Sequence, residues 1–409
     1  MRIGVLTLIH SKDNYGQQLQ CYALQKYLRD MGHDVFLIRY DYLKDLSSPL
    51  WLKMLKAFNP IKLVRYAMYK RYHANVLKEQ SRNDRCFDSF REKHVIMSER
   101  QYGSYVELYE NPPPADAYIV GSDQVWNCLL HCSASRVKTQ IHAFFLDFGG
   151  PDAKRISYAA SWGMESIPRD HTQEIEPLLA KFDYVSVREK SGIELCRQCG
   201  RDDAEWVCDP TLLLPAESYR NLYREEDRRG SVRKPKSKYL LLYMLKDERN
   251  FDKDSVYAFA ATKKLEVVYV TGGQLMDERE KFFATIPEWL YLVDNAEYVI
   301  TNSFHGSVFS TIFHKAFGVI PREGKFAGMN TRLESLFALR GMEKRYVTDK
   351  NFSILDVPYD MEDVHVPEDF ILALSNNHIH LTGGVSRPNI FLPRFSPRHV
   401  FGIWCREDA

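Results

Sequence analysis

The chain has 409 residues, 45% of them hydrophobic and 27% charged, with a formal net charge of +1. That length suggests two domains of about 100–200 residues each. The near-zero charge excludes a general electrostatic draw on nucleic acid, so any anion site must be built locally. Eight cysteines in so long a chain do not make a disulfide scaffold and are expected to be reduced and mostly buried.

The apolar opening MRIGVLTLIH lacks the basic flank, length and cleavage site of a signal peptide. No run reaches the roughly 18 apolar residues of a membrane helix, so a cytoplasmic protein is expected. RIGVLTLI predicts a buried strand, NYGQQLQCYALQKYLRDMGHDV a helix ending near Gly32, and VFLIRY a second strand. That is the opening of a parallel doubly wound sheet. Residues 50–95 differ, alternating aromatic and basic residues at helical spacing with a break at Pro60, and read as a helical insertion. AYIVGS, RISYAAS, FDYVSVRE and AEWVCDPTLLL are further strand candidates.

A charged stretch, YREEDRRGSVRKPKSK over 223–238, then interrupts the pattern as an interdomain linker. After it the alternation restarts with KYLLLYML, SVYAFAATKKL, EVVYVTGG, EWLYLVDNA, YVITNS, GSVFSTIFHKA and FGVIPR. The expected fold is α/β, with two Rossmann-like domains facing across a cleft. The first covers 1–222 and the second 239–355. A proline-containing tail over 356–409 is unassigned and either packs back on the first domain or is partly disordered.

Ligands of open parallel sheets bind beyond the carboxyl ends of the strands. That rule singles out Asn14–Gly16, Gly121–Asn127, Arg188–Glu189 and Asn302–Gly306. In NSFHGSVFS, Asn302 or Ser303 suits a helix N-cap, which puts His305 in the first helical turn. Free N–H groups there favour a phosphate, and a histidine can bond it or exchange protons near neutral pH. The plainer alternative is a histidine that only helps cap the turn. Gly306 argues against it, since glycine inside a helix costs about 1 kcal/mol relative to alanine and makes sense where another group approaches closely.

Arg188 ends a strand, where its planar fork suits carboxylate or phosphate, unless it simply pairs with a glutamate. Arg332 begins another helix after a loop made cationic by Arg322 and Lys325. In YIVGSDQVWN, Ser122, Asp123, Gln124, Trp126 and Asn127 suit sugar hydroxyls and a sugar face. Asp123 there either takes a proton from a hydroxyl or caps a helix, and Trp126 reads on its own as core sooner than as a sugar platform. CRQC at 196–199 has the spacing of a metal or redox pair, but its neighbours Cys128, Cys132 and Cys208 complete no four-ligand pattern, so no metal is expected. Asn14–Gly16 is not a nucleotide-binding fingerprint.

Taken in order, NYGQQLQCYALQKYL, YIVGSDQVWN, RISYAAS, VSVREKSG, DPTLLL and NSFHGSVFS resemble the polysaccharide pyruvyl transferase family, from residue 3 to about 345. The resemblance implies a glycosyltransferase B-like architecture with an N-terminal acceptor side and a C-terminal donor side. It implies transfer of the enolpyruvyl unit of phosphoenolpyruvate onto a sugar to make a pyruvate ketal, with no cofactor beyond that co-substrate. It matches Arg188 to an arginine that holds phosphoenolpyruvate, and His305 to the histidine of an Arg-Leu-His-Gly motif, the general acid. Ser303 and Phe304 replace that motif's arginine and leucine, and Arg332 is the expected substitute.

The remaining assignments follow from these. Asn302, Ser303 and Gly306 join the donor side, Asn14, Tyr15, Gly16, Ser122, Gln124, Trp126 and Asn127 the acceptor side, and Asp123 acts as acceptor base. Expected partners are phosphoenolpyruvate and a sugar or lipid-linked oligosaccharide of a cell-surface polysaccharide. The basic, aromatic stretch at 60–73 adds peripheral association with the inner face of the membrane, unless it is a solvated helix face. A nucleotide-sugar glycosyltransferase and a non-catalytic glycan-binding protein are the competing readings. Oligomeric state and the acceptor sugar are not legible.

Overall fold

A computed structural model of the chain describes residues 1–42, 83–127, 137–245, 251–272, 277–322, 330–359 and 367–374, with isolated positions between 68 and 74. The stretch at 60–73, Cys128, Cys132 and Lys325 fall wholly or mainly outside the described residues. All that is described belongs to one unit, Met1–Leu374.

The first sheet is built from β1 (Arg2–Leu6), α1 (Tyr15–Asp30), β2 (Asp34–Tyr40), α2 (Phe87–His94), β3 (Met97–Tyr102), α3 (Tyr105–Glu110), β4 (Ala117–Val120), α4 (Val137–Phe144), β5 (Lys154–Ala160), α5 (Arg169–Leu179), β6 (Tyr184–Val187), α6 (Ser191–Gln198) and β7 (Glu205–Trp206). Its seven strands lie in the order β3-β2-β1-β4-β5-β6-β7, all parallel. β4 and β6 are buried along their whole length, as strands covered by helices on both faces must be. Strand order reverses between β1 and β4, which opens a crevice beyond their carboxyl ends.

The second sheet follows from α7 (Ala216–Asp227), β8 (Tyr239–Met244), α8 (Lys253–Thr262), β9 (Glu266–Thr271), α9 (Ile286–Asn295), β10 (Tyr298–Thr301), α10 (Phe304–Ile312), β11 (Ala316–Val319) and α11 (Asn330–Leu339). Its order is β11-β10-β8-β9, again parallel, so the reversal falls between β8 and β10. A last helix, α12 (Glu368–Ala373), returns to the first sheet. There Phe370 packs 4.6 Å from the Tyr158 ring, and Lys154 Nζ donates to Ala373 O at 2.8 Å.

Three segments differ from the sequence reading. The supposed linker begins inside α7, because Tyr219, Leu222 and Tyr223 recur at helical spacing and bury against the second domain's core. Arg220 anchors the same helix to Asp294 through Nε at 2.8 Å. AEWVCDPTLLL holds only the two-residue β7, then a 3-10 turn, Pro210–Leu213, started by Asp209 and a proline at its first position. β3 went unread because its polar residues face outward on an edge strand.

Between the sheets lies α1. Tyr15 is fully buried, stacks on Trp289 of α9 at 5.1 Å and 8°, and donates its hydroxyl to Ala284 O at 2.8 Å. Helix α1 therefore belongs by sequence to the first domain and by packing to the junction of both.

Candidate functional site

Both strand-order reversals point into this junction. On the first side, β4 ends at Gly121, whose φ of +118° and contact with Tyr158 suit glycine alone, since a Cβ would collide with the Tyr158 carbonyl. The turn delivers Ser122 and Asp123. Asp123 Oδ2 accepts from Gln17 Nε2 at 3.3 Å, and its Oδ1 lies 3.8 Å from Arg188 Nη2. Arg188 follows β6 directly and is 3% exposed. Its Nη1 donates to Asp209 Oδ2 at 2.9 Å and to Ser122 Oγ at 3.3 Å. Its Nε and Nη2 are buried with no hydrogen-bond partner.

Asp209 is the residue that sequence reading missed. It is 2% exposed and accepts from Arg188, from Ser122 Oγ at 3.1 Å and from the Thr211 N–H and hydroxyl at 3.0 and 2.7 Å. Burial alone would raise its pKa, but the His305 ring, then Arg188 and the Thr211 hydroxyl, outweigh it and hold the carboxyl well below the usual range. The signal available was DPT, an aspartate ahead of a proline-initiated turn, which the reading of AEWVCDPTLLL as a strand obscured.

On the second side, Ser303 caps α10, its Oγ accepting the Gly306 N–H at 3.2 Å. That places His305 in the first turn, 5% exposed, with Nε2 3.4 Å from Asp209 Oδ2. The spacing allows charge attraction, but Nε2 is not aligned for a hydrogen bond and has no such partner. The ring rests on Gly16 of α1, where a Cβ would overlap it. Phe304, beside His305, has the guanidinium carbon of Arg188 at 4.7 Å from its centroid and that of Arg332 at 5.8 Å. Arg332 Nε is also buried without a partner. Burial, and next the charge of Arg188, lower the Arg332 pKa to about 10. Two like charges thus share one small pocket with Asp209.

A profile described as Polysaccharide pyruvyl transferase matches residues 14–324. The chain belongs to that family. No curated protein sequence matches it. Among solved structures, UDP-GlcNAc 2-epimerase from Methanocaldococcus jannaschii is similar at 12% identity and a TM-score of 0.48, over 90% of this chain and 97% of that one. The Neisseria meningitidis UDP-GlcNAc 2-epimerase gives 8% and 0.45 over 89% and 95%, and the wall teichoic acid polymerase TagF 10% and 0.39 over 78% and 70%.

In this pyruvyl transferase family member, His305, Arg188, Arg332, Ser122 and Asp123 converge, while other expected residues have different tasks. Trp126 is fully buried, stacked on Phe145 at 4.9 Å, with its N–H donated to Phe144 O. A correction follows, since an indole in the core cannot be a sugar platform. Tyr15 is corrected likewise, its ring and hydroxyl being committed to Trp289 and Ala284.

Asn302 is 1% exposed and its Oδ1 accepts the Leu245 N–H at 2.8 Å, tying β10 to the end of β8. Gly306 is there for packing, not for a ligand, because a Cβ would crowd Thr301 and Tyr243, and its N–H is taken by Ser303. Ser303 itself is a buried cap. Asn14 caps α1 through Gln17 N at 3.3 Å, and Gly16 receives His305. Asn127 Nδ2 donates to Gly163 O at 3.0 Å, while Gln124 Nε2, beside it, is without a partner. Glu189 does not pair with Arg188. Its Oε1 accepts from Ser161 Oγ and Gly163 N at 3.0 and 2.9 Å. Cys196 and Cys199 are buried, which pushes both thiols up to about 12.

Proposed function

We propose that the protein transfers pyruvate from phosphoenolpyruvate to two hydroxyls of a sugar, forming a cyclic ketal on a cell-surface polysaccharide or its lipid-linked precursor. The observation that carries this reading is a pair of arginines with unused buried donors, Arg188 and Arg332, beside His305. Buried N–H groups without partners are costly. A ligand bearing a phosphate and a carboxylate would satisfy them and offset the repulsion between the two guanidinium groups.

The chemistry assigns a task to each group. His305 gives a proton to the methylene carbon of phosphoenolpyruvate, turning it into a methyl group and leaving the adjacent carbon electrophilic. One sugar hydroxyl attacks that carbon, and Asp123 takes its proton. The bond to the phosphate oxygen breaks, phosphate leaves against the arginines, and the second hydroxyl closes the ring, passing its proton to the His305 left neutral by the first step. Asp209 balances the charge of Arg188 and lies 3.4 Å from His305 Nε2, within reach of charge attraction. The pocket between Arg188, Asp209, Phe304 and Arg332 has room for about one water, so the donor enters with side-chain or domain movement. Among the described residues no helix is long and apolar enough to cross a membrane. Attachment to the inner membrane face, like a cytoplasmic location, belongs to this proposal.

The test is thermal unfolding with phosphoenolpyruvate or UDP. A ligand at 100 times its Kd stabilises the native state by about 2.7 kcal/mol. A midpoint raised by phosphoenolpyruvate in the wild type and unmoved in Arg332→Ala supports the reading, and release of phosphate only with a sugar acceptor completes it. A shift with UDP alone would replace it with a nucleotide-sugar donor.

A further inference from the structure

Two consecutive residues, Ser303 and Phe304, open α10 directly ahead of His305. The structure accounts for both positions at once. Ser303 is 1% exposed and holds the helix cap, so no cation can come from there. Phe304 is 8% exposed and lies at the start of α10, its ring at 5.2 Å from that of His305. The guanidinium carbons of Arg188, from the end of β6, and Arg332, from α11, lie 4.7 and 5.8 Å from its centroid. Both distances fall inside the roughly 6 Å over which an aromatic ring attracts a cation.

A leucine cannot do this, because it has no quadrupole to set against the repulsion of two neighbouring charges. The ring also competes for no hydrogen bond. Arg188 Nε and Nη2 and Arg332 Nε therefore stay available as donors.

We infer that Phe304 is a positioning residue which holds Arg332 near Arg188 across its ring, and that this clamp favours donors bearing two anionic groups. The inference rests on the donor reading above but concerns how the second arm of the site is built. An arginine from a different helix reaches the pocket at another angle, so the two anionic groups of the ligand are held by separate elements: one by the first domain, one by α11. Ligands with a single anionic group engage one arm only and leave the other cation unrelieved.

Calorimetric binding of phosphoenolpyruvate, inorganic phosphate and pyruvate to wild type, Phe304→Leu, Phe304→Tyr and Arg332→Ala tests this, with unliganded thermal midpoints as the folding control. The expected order in the wild type is phosphoenolpyruvate above phosphate above pyruvate. Phe304→Leu is expected to weaken phosphoenolpyruvate by about 3- to 30-fold, the range of a desolvated cation–π contact, with the loss falling on donor KM more than on kcat. Phe304→Tyr restores the affinity. The double variant Phe304→Leu/Arg332→Ala binds about as weakly as Arg332→Ala alone, because both remove the same arm.

Unchanged affinity in folded Phe304→Leu, additive losses in the double variant, or failure of Phe304→Tyr to restore binding would each overturn the inference. If the wild type binds phosphate but not phosphoenolpyruvate and Phe304→Leu weakens phosphate, the positioning of Arg332 by Phe304 stands, while the preference for two anionic groups and the donor reading both fall. If the wild type binds none of the three anions, both fall.

Discussion

Two helix starts in this molecule use nearly the same local chemistry to different ends. Asn14-Tyr15-Gly16 opens α1 after β1, and Ser303-Phe304-His305-Gly306 opens α10 after β10. Each begins with a side-chain cap, follows with an aromatic residue and includes a glycine in the first turn. At α10 the aromatic ring meets two arginines and the glycine seats the helix on Thr301 and Tyr243. At α1 the aromatic ring packs the domains together and the glycine gives space to His305. The difference comes from what surrounds each ring: apolar α9 of the other domain at Tyr15, and at Phe304 the cations of Arg188 from the first domain and Arg332 from α11. A helix start is therefore a candidate site by geometry and an actual one only through its partners.

The largest way to break this comparison is His305→Ala. Losing the proposed general acid is expected to lower turnover by about 10²- to 10⁴-fold while the unfolding transition stays cooperative, checked by phosphate release and circular dichroism. Wild-type turnover in the folded variant would make α10 no more chemical than α1.

Gly16→Ala is the matching change on α1. The added methyl must displace the His305 ring, and overpacking costs about 1–3 kcal/mol. Stability in denaturant should fall by that amount, and turnover should fall with it, linking the structural helix start to the chemical one. A variant with normal turnover would show that the ring's rest against Gly16 does not position it.

Smaller effects separate the caps. Asn14→Ala and Ser303→Ala should each cost about 1 kcal/mol in denaturant unfolding. The Ser303 variant should also raise donor KM, since its helix carries Phe304 and His305, whereas the Asn14 variant should show its loss mainly as stability.

The smallest effect is in acid. Asp209 has a depressed pKa in the folded state, so its contribution to stability is present above the unfolded value of about 3.9 and is lost as pH falls from there toward the folded value. The stability gap between wild type and Asp209→Asn should therefore narrow as pH drops below about 4, measured by urea unfolding at stepped pH. A gap that widens in acid would mean that Asp209 is not ionised in the native site.

Much of this was readable before the structure. The βα rhythm gave both parallel sheets because strands covered on both faces are continuous apolar runs, and Arg188 and His305 stood out because they follow strands at carboxyl ends. Trp126 and Tyr15 were misplaced because an aromatic residue in a loop or first turn looks alike whether it faces a sugar or a core. Asp209 was passed over because AEWVCDPTLLL read as a strand, whereas Asp209 starts a 3-10 turn just past a two-residue β7. The first part of the linker was misread because charge masked the apolar spacing of Tyr219, Leu222 and Tyr223.

By itself, then, the sequence determined the two sheets, a cap for α10 at Asn302 or Ser303 and the residue types at the strand ends, since periodicity and capping are short-range properties of the backbone and its nearest side chains. Only the tertiary structure decided that Arg188, Asp209, Phe304 and Arg332 share one pocket, with His305 Nε2 at 3.4 Å from Asp209. Those residues come from four separate elements and loops, and their meeting depends on the packing of two domains across α1, which no local pattern encodes.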